Sequence, residues 1–338
     1  MRIVWFFILL LSLPLMAHNQ TVILVYHHIS DQTPPSTSTT PALFKQHLDY
    51  LQANQFKVIS LQQAIHSVEN NHSKHPEKSV VLTFDDAYLS IYEQAFPILK
   101  KRKIPFTVFV STESVEKQYK AMMNWQQLKE LSEAGVTIAN HSHTHAHLTQ
   151  ENQNSDVLGR QLDIAQHLLT ERLQQTPPPL FAYPYGEFNS NLQTLLNTRG
   201  WYGLAQYSGP FSRYSQKTRI PRFAIGGHYS GMTAFKLRVN TLAMPVVEEL
   251  PGDPHVERMP EAFHLRFDDL PFARQNFQCF YNNHPVSNMV WKDKKVSFSV
   301  SANLSVGRSR INCTAKDSKS ARYYWHTLPL FNLNPNSD

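Results

Sequence analysis

Cysteine is nearly absent: the 338-residue chain holds only Cys279 and Cys313. They lie far apart and neither belongs to a Cys-x-x-Cys pair, so both are poor metal ligands. Dense runs of lysine or arginine are also missing. The formal net charge of +6 is scattered along the chain, and nothing marks a nucleic-acid groove. The charge gives only a weak bias toward an anionic surface or polymer. No internal repeat is found. The apolar stretch at the start, Ile3 to Leu11 and on to Ala17, is too short for a comfortable membrane span.

What that stretch does resemble is a secretory signal peptide over residues 1–17, with Met1-Arg2 before an apolar core and Ala17 at its end. Leu15 is large for the position two before the cut, which leaves uncleaved retention open. No cysteine follows that would carry a lipid anchor. Export to a periplasmic or extracellular space exposes Cys279 and Cys313 to oxidising conditions, and a disulfide between them is the expectation. Asn-x-Ser/Thr triplets such as Asn140-His141-Ser142 are read as chance matches, and a bacterial envelope as the simpler source. With 41% hydrophobic residues and 21 prolines, the chain has room for a full α/β domain and a smaller second one.

Buried strands are predicted at Thr21 to Tyr26, Val58 to Ser60, Ser79 to Phe84, Phe106 to Val110, Val136 to Ala139 and Leu180 to Tyr183. Helical spacing runs over Ala42 to Gln52, Leu61 to Ser67, about Ser90 to Lys103, Asn124 to Gly135, Ser155 to Gln174 and Asn191 to Arg199. This alternation implies a mostly parallel sheet wrapped by helices, open or closed as a barrel. After about Pro245 helical periodicity fades. Pro251 to Pro254 reads as a linker, and short strands recur at Phe277 to Tyr281, Val296 to Val300, Arg310 to Thr314 and Arg322 to His326. The expected division is an α/β domain over 18–248 and a β-rich module over 255–338.

Polar residues gather where the strands end: His27-His28, Asp85-Asp86, Asn140-His141 and Tyr183-Pro184-Tyr185. Parallel α/β folds concentrate functional groups at strand carboxyl ends. An Asp-Asp pair alone is more often a turn or helix cap. At a strand end, however, adjacent side chains diverge, so one carboxylate can hold a metal while the other faces a water. His141, His143, His145 and His147 alternate, so an extended segment would put all four on one face, whereas a helical turn would pair His141 with His145. His143 and His147 are read as structural. Two carboxylates and an imidazole pair supply the parts of a metal-dependent hydrolase.

These segments resemble the polysaccharide deacetylases of the NodB-homology group, carbohydrate esterase family 4. Thr83-Phe84-Asp85-Asp86 is similar to the family's first motif, and His141-Ser142-His143-Thr144-His145 to its H-[S/T]-x-x-H motif. The resemblance covers roughly residues 20 to 245. It implies Asp85 as general base, with Asp86, His141 and His145 as ligands of a divalent metal, zinc before nickel, cobalt or iron. It also implies a distorted (β/α) barrel. Phe181 to Gly186 is similar to the third motif, in which Tyr185 would offer a backbone N–H to an oxyanion. Ala182 stands where the family commonly has a base-orienting arginine; Arg222 is a substitute and is also counted among the substrate contacts. Leu24-Val25-Tyr26-His27 resembles the last motif as placed in circularly permuted members that act on poly-N-acetylglucosamine. That makes His27 the expected general acid, ahead of His28 and His228.

Tyr185, Trp201, Tyr202 and Trp125 are candidate sugar-stacking faces, each with an ordinary core role as the alternative. The aromatic and basic C-terminal module suits glycan or protein docking, or packing alone. The expected function is N-deacetylation of an N-acetylated envelope or extracellular polysaccharide. The alternatives are a non-catalytic glycan-binding protein that kept the fold and deacylation of another ester or amide; acetate release separates the first alternative from catalysis.

Overall fold

The computed structural model describes residues 19–70, 76–149 and 155–333. The predicted signal segment lies outside the described residues. Among those described, no helix is long and apolar enough to cross a membrane.

The strand Gln20–Tyr26 belongs to a nine-stranded sheet. Beside it runs Ser79–Phe84, then Thr107–Val110, Thr137–Asn140, Leu180–Ala182 and Tyr202–Leu204, each parallel to its neighbour. On its other side Gln20–Tyr26 pairs with Phe223–Ala224 in parallel and with Phe211–Ser212 antiparallel. The far edge returns toward the first strand: Ile220 N donates to Gly203 O at 2.7 Å and Ala205 N to Ile220 O at 2.9 Å. The sheet therefore curls into a barrel-like α/β fold, as expected.

Alternation along the strands separates two apolar cores. Leu24, Tyr26, Val80, Leu82, Phe84, Val108 and Ile138 pack outward against the helices. Ile23, Val81, Phe109, Ala139, Ala182 and Leu204 point to the opposite face, where the helix Leu61–Glu69 contributes Leu61, Ala64, Ile65 and Val68. Burying that many side chains, at about 1.5–3 kcal/mol for each large one, makes the strand framework rigid. The same parity carries on past Val81 and Thr83 to Asp85, which falls on the inner face at the rim.

Several elements depart from the sequence expectation. The helix predicted from Ser90 opens with a π-helical turn at Ile91–Ala95 and becomes α-helical only over Phe96–Arg102. Pro97 removes one backbone donor there. A further helix, Met232–Val239, buries Phe235 and Val239. Pro251 to Pro254 is not a free linker: Phe331 N donates to Pro254 O at 2.7 Å, and Val256 N to Phe331 O at 3.0 Å.

The C-terminal strands form two sheets over one apolar core that includes Phe263, Phe267, Phe277, Ile311 and Leu328. Their long hairpin pairs Gly307–Lys316 with Tyr323–Asn332. Strands Leu242–Ala243 and Val246–Leu250, on the near side of the expected division, are paired into these sheets. Cys279 and Cys313 face each other in register on adjacent strands and are joined as a disulfide.

Candidate active site

The parallel register of the first two strands, Tyr26 opposite Phe84, puts His27 and Asp85 side by side at the carboxyl rim. Asp85 N donates to Tyr26 O at 3.0 Å, which fixes the start of the turn. Asp86 and Ala87 follow with φ of 71° and 61°. Two consecutive left-handed residues turn the chain sharply. The Asp86 carboxylate thereby leaves the strand line and points across the rim.

Its partners arrive from one loop. Ser142 and His145 have φ of 66° and 56°, and side chains hold the turn closed. Asn140 Oδ1 accepts from Ser142 N at 2.9 Å, and Ser142 Oγ from His145 N at 3.1 Å. Short polar side chains that bond nearby backbone are what a tight turn needs. As a result His141 Nε2 lies 3.2 Å and His145 Nε2 3.1 Å from the same Asp86 Oδ1. One ligand atom from each of the three residues lies within 4.8 Å of the others.

The donor set fits a divalent cation. His141 Nδ1 donates to Ala182 O at 2.7 Å, which turns Nε2 toward Asp86 as the nitrogen that would ligate a cation. Position 182 thus acts through its carbonyl. Burial works against the Asp86 charge, but the His141 and His145 hydrogen bonds outweigh it and hold the carboxyl well below the usual range. Burial first, and then the Asp86 charge, pushes the Tyr88 phenol up, and His28 stacks on its ring at 3.6 Å.

Asp85 is 2% exposed and Arg222 1%. Arg222 Nη1 and Nη2 each donate to one Asp85 oxygen at 2.7 Å. Two further guanidinium donors are used as well: Nε goes to Ala205 O at 2.9 Å, and Nη1 also reaches Thr83 Oγ1 at 3.2 Å. The guanidinium lies 5.5 Å from the Phe109 ring centroid. A bidentate fork of this kind fixes carboxylate orientation as well as charge. Burial tends to raise the Asp85 pKa, yet Arg222 and then His141 hold it below the ordinary carboxylate value. Arg222, expected also among the substrate contacts, lies buried beneath Asp85 with four of its five N–H donors engaged.

Among the histidines expected as acid, His27 faces the charged centre. Its pKa is lowered by burial first, while the Asp86 and Asp85 charges oppose that. His28 pairs in a short strand with Ser38 and stacks on Tyr88. His228 is exposed, in the Gly227–Tyr229 turn.

Tyr185 adopts φ 59° and ψ 2°, inside the turn Pro184–Gly186. Its ring meets His145 edge-on at 4.6 Å and lies flat on His147 at 3.9 Å. His147 Nδ1 is bonded to Glu187 Oε2 at 2.7 Å, and Arg308, from the C-terminal hairpin, donates to Tyr185 O. Tyr88, Glu187 and Arg308 were missed by sequence reasoning as parts of the site, and His147, read as structural, supports the Tyr185 ring. His143 holds to Thr112 Oγ1 at 2.9 Å, away from the ligand cluster.

Gly186 has φ 72°, and a β-carbon there would lie 2.3 Å from Gln206 Cβ and 2.7 Å from Gln206 N. Gly186→Ala is expected to lose at least about 2 kcal/mol of stability, from the left-handed backbone plus the clash. Because Tyr185 precedes it, kcat falls about 10²-fold as well, as for a small misplacement of a reacting group. Thermal melts and initial rates measure the two losses.

Of the other proposed sugar-stacking residues, Trp201 and Tyr202 do not converge on the rim. Trp201 follows the helix Ser190–Thr198 and precedes the strand Tyr202–Leu204, so it sits at the amino end of its strand, away from the site. It packs there against Leu192, Leu196 and their neighbours. Tyr202 bonds Glu69. Trp125 donates to Glu116 Oε1 at 2.5 Å and lies under Arg172.

Comparison with known proteins adds an independent line. Residues 72–203 match the family described as polysaccharide deacetylase. The poly-beta-1,6-N-acetyl-D-glucosamine N-deacetylase of Staphylococcus aureus (strain MRSA252) is 27% identical over 212 residues, 60% of this chain and 72% of that protein. Among solved structures, Streptococcus pyogenes deacetylase PplD in complex with acetate superposes with TM-score 0.59 at 25% identity, covering 66% of this chain and 99% of that one. IcaB from Ammonifex degensii gives TM-score 0.58 at 25% identity, over 64% and 95% of the two chains.

Proposed function

We propose that this chain, which carries a NodB-type polysaccharide deacetylase domain, hydrolyses N-acetyl groups on an exported N-acetylated glycan of the poly-β-1,6-N-acetylglucosamine class. The observation that carries this reading is the meeting of Asp86, His141 and His145 at one point, with Asp85 beside them on a buried guanidinium. The glycan class follows from the named relative. The disulfide between Cys279 and Cys313 agrees with an oxidising compartment outside the cytosol.

Asp86 and the Nε2 atoms of His141 and His145 would hold a divalent cation, and one carboxylate with two imidazoles suits zinc best, with nickel, cobalt or iron as similar fits. When bound, such a cation supplies Lewis acidity toward a water and the acetyl oxygen. Asp85 is ionised at neutral pH and takes the proton from the attacking water. The Tyr185 N–H donates to the oxygen that gains negative charge, a contact of about 3 kcal/mol in comparable sites. His27 delivers a proton to the departing nitrogen, so the C–N bond breaks to give acetate and a free amine. Arg222 keeps Asp85 oriented and charged without touching the glycan.

The test is acetate release from β-1,6-linked N-acetylglucosamine oligomers, with peptidoglycan and chitin-type oligomers alongside. The expected result is release that stops on chelation and returns with added zinc. Full metal occupancy and glycan binding without any acetate would replace catalysis by binding alone.

A further inference from the structure

The C-terminal module reaches the catalytic rim through Arg308. Arg308 lies on the strand Gly307–Lys316, directly opposite Phe331 on its partner strand. Phe331 is buried edge-on against Phe188 at 5.6 Å, in the core that also holds Tyr183. That core flanks the turn Pro184–Gly186. The position of Arg308 is therefore set by packing that straddles the turn, although the guanidinium itself is half-exposed.

From that position Arg308 donates to the carbonyl of Tyr185. The same peptide is held from its other side, because Gly186 N donates to Tyr183 O at 2.8 Å. A third constraint acts on the ring, which is stacked on His147 while His147 is fixed by Glu187. Arg308 Nε lies 3.9 Å from Glu187 Oε1, so one guanidinium touches both arms of the arrangement. Tyr185 meanwhile occupies left-handed backbone, which a tyrosine adopts only when its surroundings over-determine it.

We infer that Arg308 is a positioning residue: it locks the Tyr185–Gly186 peptide so that the Tyr185 N–H stays aimed at the reacting carbonyl. This rests on the deacetylase reading above and extends it, making the C-terminal module part of the catalytic apparatus. Without Arg308 the Tyr185 carbonyl turns to water, φ of Tyr185 relaxes toward negative values, and the N–H swings away. The carbonyl contact is made to main chain, so its loss affects the rate of the chemical step rather than glycan affinity.

The full chain carrying Arg308→Ala is expected to lose about 10–100-fold in kcat, the scale of a misplaced oxyanion donor. KM stays within about twofold, since an interaction made in the transition state alone was removed. Ethylguanidinium restores part of kcat in Arg308→Ala and leaves the wild type unchanged. Independently of turnover, amide exchange at Gly186 accelerates in the variant, because its bond to Tyr183 O is no longer backed by a fixed peptide. Unchanged kcat and unchanged Gly186 exchange overturn the inference. A rise in KM alone also overturns it, by making Arg308 a glycan contact. So does a loss of kcat that tracks a lower melting temperature and ignores ethylguanidinium. Should the wild type release no acetate from any glycan, the functional reading fails by itself, and Gly186 exchange still decides whether Arg308 holds the turn.

Discussion

Asp85→Asn leaves the cation bound and removes nearly all turnover, by roughly 10²–10⁴-fold in kcat, the usual worth of a general base. Asparagine keeps the shape of the side chain but cannot take a proton from water. Asp86, His141 and His145 are untouched by the change, so metal content measured by mass spectrometry stays at the wild-type ratio. A second effect separates this site from an ordinary surface base. Arg222 is buried with its charge matched to Asp85, and the variant strands that guanidinium. A stability loss of about 3 kcal/mol accompanies the loss of activity, since a buried ion has lost its counter-charge. Denaturant melts on the apo and metal-loaded forms measure it. Wild-type turnover in the variant would move the base elsewhere.

Much of this site is legible in the sequence, for physical reasons that can be named. A run of β-branched and apolar residues makes Ser79–Phe84 a strand, and strand parity then sets Asp85 on the inner side with Val81 and Thr83. His141 and His145 share one loop, so their spacing survives into the fold. Arg222 was legible as a residue and not as a position. It is 137 residues from Asp85, on a segment whose pairings are too short to give a period. Arg308 lies beyond even that reach, because only the docking of the hairpin through Phe331 brings it to Tyr185. Trp201 shows the opposite failure. Its aromatic character suggested a sugar face, yet its place directly between a helix and the next strand already assigned it to the amino end. Chain order held that information, and composition did not.

Arg222→Met puts the same ion pair under the reverse stress. Methionine fills much of the volume and brings no charge, so Asp85 is left buried with neither counter-charge nor fork. In the wild type the Asp85 pKa is depressed. The pair therefore contributes stability that is fully present above the unfolded aspartate value of about 3.9 and is lost as pH falls through the lower folded value. In Arg222→Met burial is opposed only by the His141 and His27 charges, so the folded pKa rises above that of the wild type and the stabilisation is lost. The variant is then least stable relative to wild type near neutral pH, by about 3–5 kcal/mol, and the difference narrows as acid neutralises the carboxyl. The acid limb of its rate profile also moves to higher pH, because the base must lose a proton that the wild type does not hold. Arg222→Lys keeps a cation without the planar fork and falls between the two in stability. Combining Arg222→Met with Asp85→Asn removes both charges, and the double variant is expected to be more stable than Arg222→Met alone at neutral pH. A simple sum of the two single losses would mean that the buried charges do not depend on each other, and the orienting role given to Arg222 would fall with that result.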